Sequence, residues 1–248
     1  LGKKDFITEN LIREIHRILV KEVRGNLADP GNYRRVQNYV VNSFTREIIY
    51  TPPSPSEVPV LMQEFVGWLN RAKEISPVLL SGIAQFQFVH IHPFIDGNGR
   101  TARLISTLIL YKNGYDFKRL FALSEYYDKD RKGYYDAIQS VRKSNMDMTY
   151  WLEYFIEGLK SQMMEVKKKG VTAIKKEVIL GRASKEGLND RQKGALVFLI
   201  SNKYISRAKY VEQFKVSLRT ANYDLSQLET LGFIEKVGMG RAIKYRLK

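Results

Sequence analysis

The chain has no cysteine among its 248 residues, which excludes disulfides and thiolate nucleophiles. Histidine is scarce too. His16, His90 and His92 are the only three, too few for a zinc centre built on Cys and His. No apolar run approaches the ~20 residues needed to span a bilayer. No signal-peptide pattern opens the chain. The expectation is a cytoplasmic protein with no membrane attachment. Because the chain starts at Leu1 rather than Met, residues upstream of it are also expected. Acid is in short supply: 26 Asp and Glu face 41 Lys and Arg, a net charge of +15 with a pI near 9.8. That balance favours anionic partners, whether nucleotides, nucleic acid or acidic protein faces, without choosing among them. What is present is 44% hydrophobic, enough for a real core, and the length fits a large domain with or without a small one.

Apolar periodicity makes the first two thirds mostly α-helical. Phe6 to Leu19 repeats at helical spacing behind Thr8 as N-cap. Residues 25–33 are turn-rich, and a short hairpin is predicted near Phe44–Tyr50. Pro52, Pro53 and Pro55 bar regular structure. Ser56 is then expected to cap a helix to about Ala72, with Leu61, Phe65, Trp68 and Leu69 on one face. Further helices are predicted from Pro77 to about Val89 and over 100–112, 128–143 and 147–168. The lysine-rich stretch from Lys160 to Lys176 keeps some apolar periodicity and reads as a solvated helix leading into a linker. The predicted organisation is a domain over 1–165, a basic helical linker over 166–187 and a small module over 188–248.

Residues 92–103 carry most of the functional information: His92-Pro-Phe-Ile-Asp96-Gly97-Asn98-Gly99-Arg100-Thr-Ala-Arg103. Attack of a hydroxyl on a phosphorus ester needs a base, and an imidazole with a pKa near 6.5 is mostly neutral at neutral pH. His92 fits that role. Gly97 and Gly99 allow a turn with inward amides at the start of a helix. Arg100 and Arg103, three apart, are expected to share a face and reach phosphate oxygens. Asp96 supplies an oxygen suited to Mg. Asn98 offers an amide donor for a further phosphate oxygen, and Phe94 an apolar anchor for the loop. Singly, each of these is more often a structural feature. Together they point to phosphoryl or nucleotidyl transfer.

This string resembles the signature of the Fic (Fic/Doc) family, His-Pro-Phe-x-(Asp/Glu)-Gly-Asn-(Gly/Lys)-Arg-x-x-Arg, at every fixed position. Gly31-Asn-Tyr33-Arg34 resembles the family's Gly-x-Tyr-Arg segment. Tyr50-Thr-Pro52-Pro53 with Val58-Pro59-Val-Leu61-Met62 resembles its flap and next helix, and Phe88-Val-His90-Ile91 its lead-in. The similarity runs over roughly residues 5–160. It implies a helical Fic fold with a small β-hairpin flap that transfers AMP from ATP, with Mg, to a Ser, Thr or Tyr hydroxyl of a target protein. On that resemblance His92 deprotonates the hydroxyl and Asp96 holds Mg. Gly97, Asn98, Gly99 and Arg100 form the anion loop, and Arg103 holds the terminal phosphate. The flap over Thr45–Pro52, with Arg46, Glu47, Ile48, Ile49 and Tyr50, docks the target by main-chain pairing. Tyr134 and Tyr135 stand where some members line the adenine pocket, although paired tyrosines at helical positions are more often core. Ala102 replaces a frequent glycine or serine and is expected to face the core.

Many members carry an inhibitory (Ser/Thr)-x-x-x-Glu-(Gly/Asn) helix. Glu9-Asn10, Glu157-Gly158 and Glu186-Gly187 are preceded at four residues by Asp5, Glu153 and Arg182, so none matches. The expectation is an inhibitory helix upstream of this sequence or supplied by another protein.

Residues 188–248 hold 12 Lys and Arg against 5 Asp and Glu. Three predicted helices followed by two strands resemble the winged helix-turn-helix pattern, which makes this module α+β. Under a DNA-binding reading Arg219, Thr220, Asn222 and Tyr223 begin a recognition helix and Arg241 sits on the wing. The alternative is a protein-docking or homodimerisation module. Two other functions stay open: a Fic enzyme that uses another donor or removes AMP, and a nucleotide-sensing DNA-binding regulator.

Overall fold

The structure is a computed structural model that describes residues 6–24, 29–41, 45–115 and 123–248; the side chains of 22–24 and of Arg241 lie outside the description. The expected residues Asp5 and Phe44 also fall outside it. The chain divides into two units, Leu1–Met164 and Glu165–Lys248.

The first unit is helical. It comprises α1 (Glu9–Arg24), a two-stranded ribbon of β1 (Val40–Val41) and β2 (Ile48–Tyr50), then α2 (Val58–Arg71), α3 (Pro77–Ile91), α4 (Asn98–Lys112), α5 (Leu123–Lys129), α6 (Arg131–Lys143) and the first turns of α7 (Thr149–Lys185). α3 is the centre of the unit. Phe88, Ala84 and Ile91 pack into one core with Ile12, Met62, Phe65, Leu69, Ile105 and Phe94. Phe86 of the same helix enters a second core with Leu110, Tyr127, Tyr134, Ile138, Trp151 and Phe155. A helix covered on both sides needs apolar residues all round, which is why PVLLSGIAQFQFVHI lacks a clear polar face. Ala102 is buried in the first core, as its expected core-facing position requires.

The boundaries differ from expectation in three places. α2 starts after Glu57 rather than at a Ser56 cap; Glu57 turns back to accept the Ser54 N–H at 2.7 Å. The helix predicted over 128–143 is two, broken at Asp130, whose carboxylate caps α6 by accepting the Gly133 N–H. α7 runs past the helix end expected at 168 and through the stretch expected as a basic helical linker, because nothing between Gly170 and Gly181 breaks the backbone ladder. It ends where Gly187 takes a φ of +67°.

In the second unit the end of α7 is followed by α8 (Asp190–Ser201), α9 (Arg207–Phe214), α10 (Leu218–Thr230) and an antiparallel hairpin of β3 (Ile234–Val237) and β4 (Lys244–Leu247). Each of the three short helices has a side-chain cap. Asn189 and Gln192 close a capping box, and Ser206 and Ser217 accept the N–H groups of Lys209 and Thr220. Leu196, Leu199, Tyr210, Leu225, Leu228, Phe233 and Tyr245 form its core. Buried Asp224 ties three elements together, accepting from Tyr210 Oη at 2.9 Å, Arg191 Nε at 3.1 Å and Asn189 Nδ2 at 3.3 Å. No helix among the described residues is long and apolar enough to cross a membrane.

Candidate active site

α3 ends at His92, which takes the left-handed conformation (φ 53°, ψ 55°) and turns the chain out of the helix. Its Nδ1 lies 3.2 Å from the Val89 carbonyl oxygen. A carbonyl only accepts, so Nδ1 carries the proton and Nε2 keeps its lone pair. Burial pushes the His92 pKa down to about 4, and the nearby Arg34 and Arg142 guanidinium groups push the same way. The imidazole is therefore neutral at physiological pH, in the tautomer a general base needs.

The loop that follows is held by its own buried side chains. Phe94 is fully buried and lies flat on His16, with ring centroids 3.7 Å apart and planes within 3°. Asn98 is also buried. Its Oδ1 accepts the Phe94 N–H at 2.9 Å and its Nδ2 donates to the Phe94 oxygen at 2.8 Å. This corrects the expectation for Asn98. Both polar ends of its side chain are spent on the main chain of the loop, so it closes the turn rather than offering its amide to a phosphate. At Gly97 the backbone has a φ of +76°, and a Cβ there would lie 2.7 Å from Val20 Cγ1. Only glycine combines that dihedral with so close an approach of α1. Gly97 is the N-cap of α4, so the first free amides of that helix begin at the glycine turn.

Asp96 is half-exposed. One carboxylate oxygen accepts the Gly97 N–H at 2.7 Å and the other lies 3.8 Å from Arg100 Nη2. No group of three or more ligating side chains that could hold a metal occurs among the described residues. A lone carboxylate suits a Mg ion whose other positions are filled by phosphates and water, not an all-protein cage. On that donor set the residues fit Mg brought with a nucleotide.

The two arginines of the motif, three residues apart on α4, have different neighbours. Arg100 Nη1 leans toward the Leu19 carbonyl of α1 at 3.5 Å. Arg103 stays near the turn, its Nη1 3.5 Å from where a Cβ of Gly99 would be, and its charge acts on the Tyr134 phenol. Arg103 Nε is buried without a hydrogen-bond partner.

Tyr134 is a core residue, which corrects its placement in an adenine pocket. It stacks on Tyr127 at 4.4 Å and meets Trp151 edge-on, so its ring faces are covered. Tyr135 is 50% exposed. In the ribbon, Val40 pairs with Tyr50 and Val41 with Ile48. Arg46, Glu47, Ile48 and Ile49 are exposed, while Tyr50 is half-buried. Tyr50 is thus an anchor of the flap and not part of its open surface.

Two residues that hold this site were given no role in the sequence reading, although Arg34 belongs to the Gly-x-Tyr-Arg segment. His16 is completely buried; its Nδ1 accepts the Gly31 N–H and its Nε2 donates to the Asp96 oxygen, both at 2.9 Å. Burial lowers its pKa and keeps the ring neutral, as one acceptor and one donor require. Its position in the stripe Ile12, His16, Val20, every fourth residue of α1, was the available signal. Arg34 is the other. Its Nε donates to the His92 oxygen at 2.9 Å, its Nη2 to Pro53 and its Nη1 to Val36, and its backbone N–H donates to Pro93. One buried cation thus joins the turn at His92 to the segment leaving the flap.

On α10, Arg219, Asn222 and Tyr223 are exposed, Tyr223 to 68%. The Thr220 hydroxyl lies 2.9 Å from the Ser217 hydroxyl at the cap and is less available. The Arg241 side chain lies outside the described residues.

Comparison with known proteins agrees with this geometry. The Fic/DOC family model matches residues 6–110. Protein adenylyltransferase Fic of Culex quinquefasciatus is 39% identical over 117 residues, 46% of this chain and 22% of that protein. Its counterpart from Aedes aegypti is 40% identical over the same shares. The chain therefore spans about a fifth of the length of these relatives. A Fic family protein from Desulfovibrio desulfuricans G20 shares the fold, with a TM-score of 0.58 at 23% identity over 97% of this chain and 69% of that one. A Fic domain containing signaling protein from Bacteroides thetaiotaomicron VPI-5482 has a TM-score of 0.53 at 26% identity, over 66% of this chain and 65% of that one. The region matched as a Fic/DOC family domain, residues 6–110, contains the whole of the 92–103 loop.

Proposed function

We propose that the 92–103 loop transfers AMP from ATP to a Ser, Thr or Tyr hydroxyl of a protein. The observation that carries this reading is the neutral His92, with Nδ1 committed to Val89 and Nε2 left to accept a proton, five residues before the glycine that caps α4. The target hydroxyl gives its proton to Nε2 as its oxygen bonds to the α-phosphorus. The bond from that phosphorus to the bridging oxygen breaks, and pyrophosphate leaves. The main-chain amides that open α4, with Arg100 and Arg103, offset the phosphate charge. Asp96 is the residue that would hold Mg, which when bound neutralises phosphate charge and orients the donor. His16, Arg34 and Asn98 touch no reacting atom; they keep the loop in shape.

The exposed stretch Arg46–Ile49 beside β2 is suited to pairing with an extended target segment. Of the two tyrosines, Tyr135 is the exposed one, which supports it as the candidate for an adenine contact. The test is intact-mass spectrometry after incubation with ATP and Mg. We expect a mass gain of one AMP on the protein or on an added target, lost in His92→Ala while nucleotide binding is retained. Gain of a phosphate, or AMP transfer undiminished by His92→Ala, would overturn the reading.

A second activity is supported by the second unit. Three capped helices and a hairpin, a basic excess and the exposed Arg219, Asn222 and Tyr223 on α10 suit a winged helix that binds duplex DNA. A gel-shift series should show binding that falls steeply as salt rises from about 50 to 200 mM; a flat response refutes it.

A further inference from the structure

The flap ribbon is short. Two strands of two and three residues, with a register irregularity between Val40 and Val41, are too little to hold a position by themselves. The side chains beneath supply what the ribbon lacks. Tyr50, the last residue of β2, donates its hydroxyl to the His90 oxygen at 2.8 Å and lies 3.0 Å from His90 Nδ1. His90 is two residues before His92, on the last turn of α3. From α6, Arg142 lays its guanidinium 3.4 Å from the centre of the Tyr50 ring and 5.7 Å from that of Phe86.

Arg142 is an unusual cation. Its Nε and Nη2 are buried with no hydrogen-bond partner, and the ionisable groups it interacts with are Tyr50, Tyr134, His90 and His92, none of them a carboxylate. Burial lowers its pKa to about 10, so it stays charged at neutral pH. A buried charge without a counter-ion persists only where something else compensates it. Here that is the electron-rich face of the phenol.

We propose that Tyr50, His90 and Arg142 form a lock that holds β2 at a fixed height over the His92 turn, with Arg142 as a positioning residue acting through the Tyr50 ring. The physical need is clear. A target segment paired with β2 presents its hydroxyl to His92 only if strand and imidazole keep their spacing, because proton transfer requires heavy atoms within about 3 Å. The proposal rests on the transferase reading only in taking β2 as the docking edge.

Two measurements on the full chain test it: hydrogen–deuterium exchange of peptides covering 45–52, and the affinity for a non-hydrolysable Mg-ATP analogue. Arg142→Met and Tyr50→Phe should speed exchange of the Ile48–Tyr50 amides about tenfold or more. Arg142→Lys, which keeps a cation over the ring, should restore most of the protection. Analogue affinity should change by no more than about twofold in all three. Unchanged flap exchange in Arg142→Met overturns the lock. So does protection in Arg142→Met equal to that in Arg142→Lys, which would make the contact simple packing. Loss of analogue affinity with an unmoved flap also overturns it, and would make Arg142 a nucleotide ligand. Should Arg142→Met not fold, Tyr50→Phe still decides. Absence of AMP transfer in the wild type would refute the transferase reading and leave the exchange result standing.

Discussion

Asn98→Asp separates the two roles open to the central residue of the motif. The side chain is 2% exposed and bridges the Phe94 N–H and C=O. The substitution keeps shape and the acceptor for the N–H. It replaces the donor at 2.8 Å from the Phe94 oxygen by a second acceptor. The lost hydrogen bond costs about 1 kcal/mol, and two buried acceptors left facing each other add roughly 1–3 kcal/mol. The Phe94 oxygen keeps a second donor, Asn38 Nδ2 at 2.9 Å, which holds the total toward the middle of that range. A destabilisation of about 2–4 kcal/mol should lower the melting temperature by roughly 5–15 °C for a unit of this size. The deficit should shrink at acid pH, because burial raises the pKa of the introduced carboxyl and its protonated form recovers a donor. Thermal unfolding of the full chain at pH 5 and pH 8, followed by circular dichroism, reads this directly. A melting temperature within about 2 °C of wild type, together with weakened Mg-ATP binding, would show that the side chain serves the phosphate and that the loop-closing argument is wrong.

Three further outcomes follow from the same geometry. The His92 imidazole, followed by NMR with His92→Gln for assignment, should titrate with a midpoint near 4. Between that value and the unfolded value near 6.5 the unfolded chain binds more protons, so His92's contribution is complete above pH 6.5 and is lost on acidification toward pH 4, by about 3 kcal/mol; a midpoint at 6.5 contradicts this. Gly97→Ala should cost about 2–5 kcal/mol in denaturant unfolding, from the left-handed backbone and the overpacked Val20, and Val20→Ala in the same chain should recover the steric part; no recovery would mean that Val20 is not the obstacle. Asp224→Ala leaves Tyr210 and Arg191 without their acceptor and should destabilise the second unit by about 3 kcal/mol, read as faster amide exchange in α8 and α10; unchanged exchange there would refute its tying role.

Much of this protein was legible in one dimension. The glycines of the motif, the proline breaks and the caps at Asn189, Ser206 and Ser217 act within a few residues, and local steric and hydrogen-bonding rules suffice to read them. The apolar faces of α1 and α2 were equally plain. The misreadings have a common form. Asn98 looked like a phosphate ligand because its buried partner, the Phe94 main chain, becomes its neighbour only once the loop turns back. Tyr134 resembled an adenine contact until Tyr127 and Trp151 covered it.

By itself the amino-acid order determined the helical class and singled out the 92–103 loop, with His92 as its candidate base, because these rest on residue types at close spacing. Only the tertiary structure decided which side chains keep that loop in shape. His16 lies 80 residues before the Asp96 oxygen it holds, Arg34 lies 58 before the His92 oxygen, and Arg142 crosses from α6 to the flap. Hydrogen bonds and cation–ring contacts act over a few ångströms of space, and no pattern along the chain records which distant residues folding brings within that range.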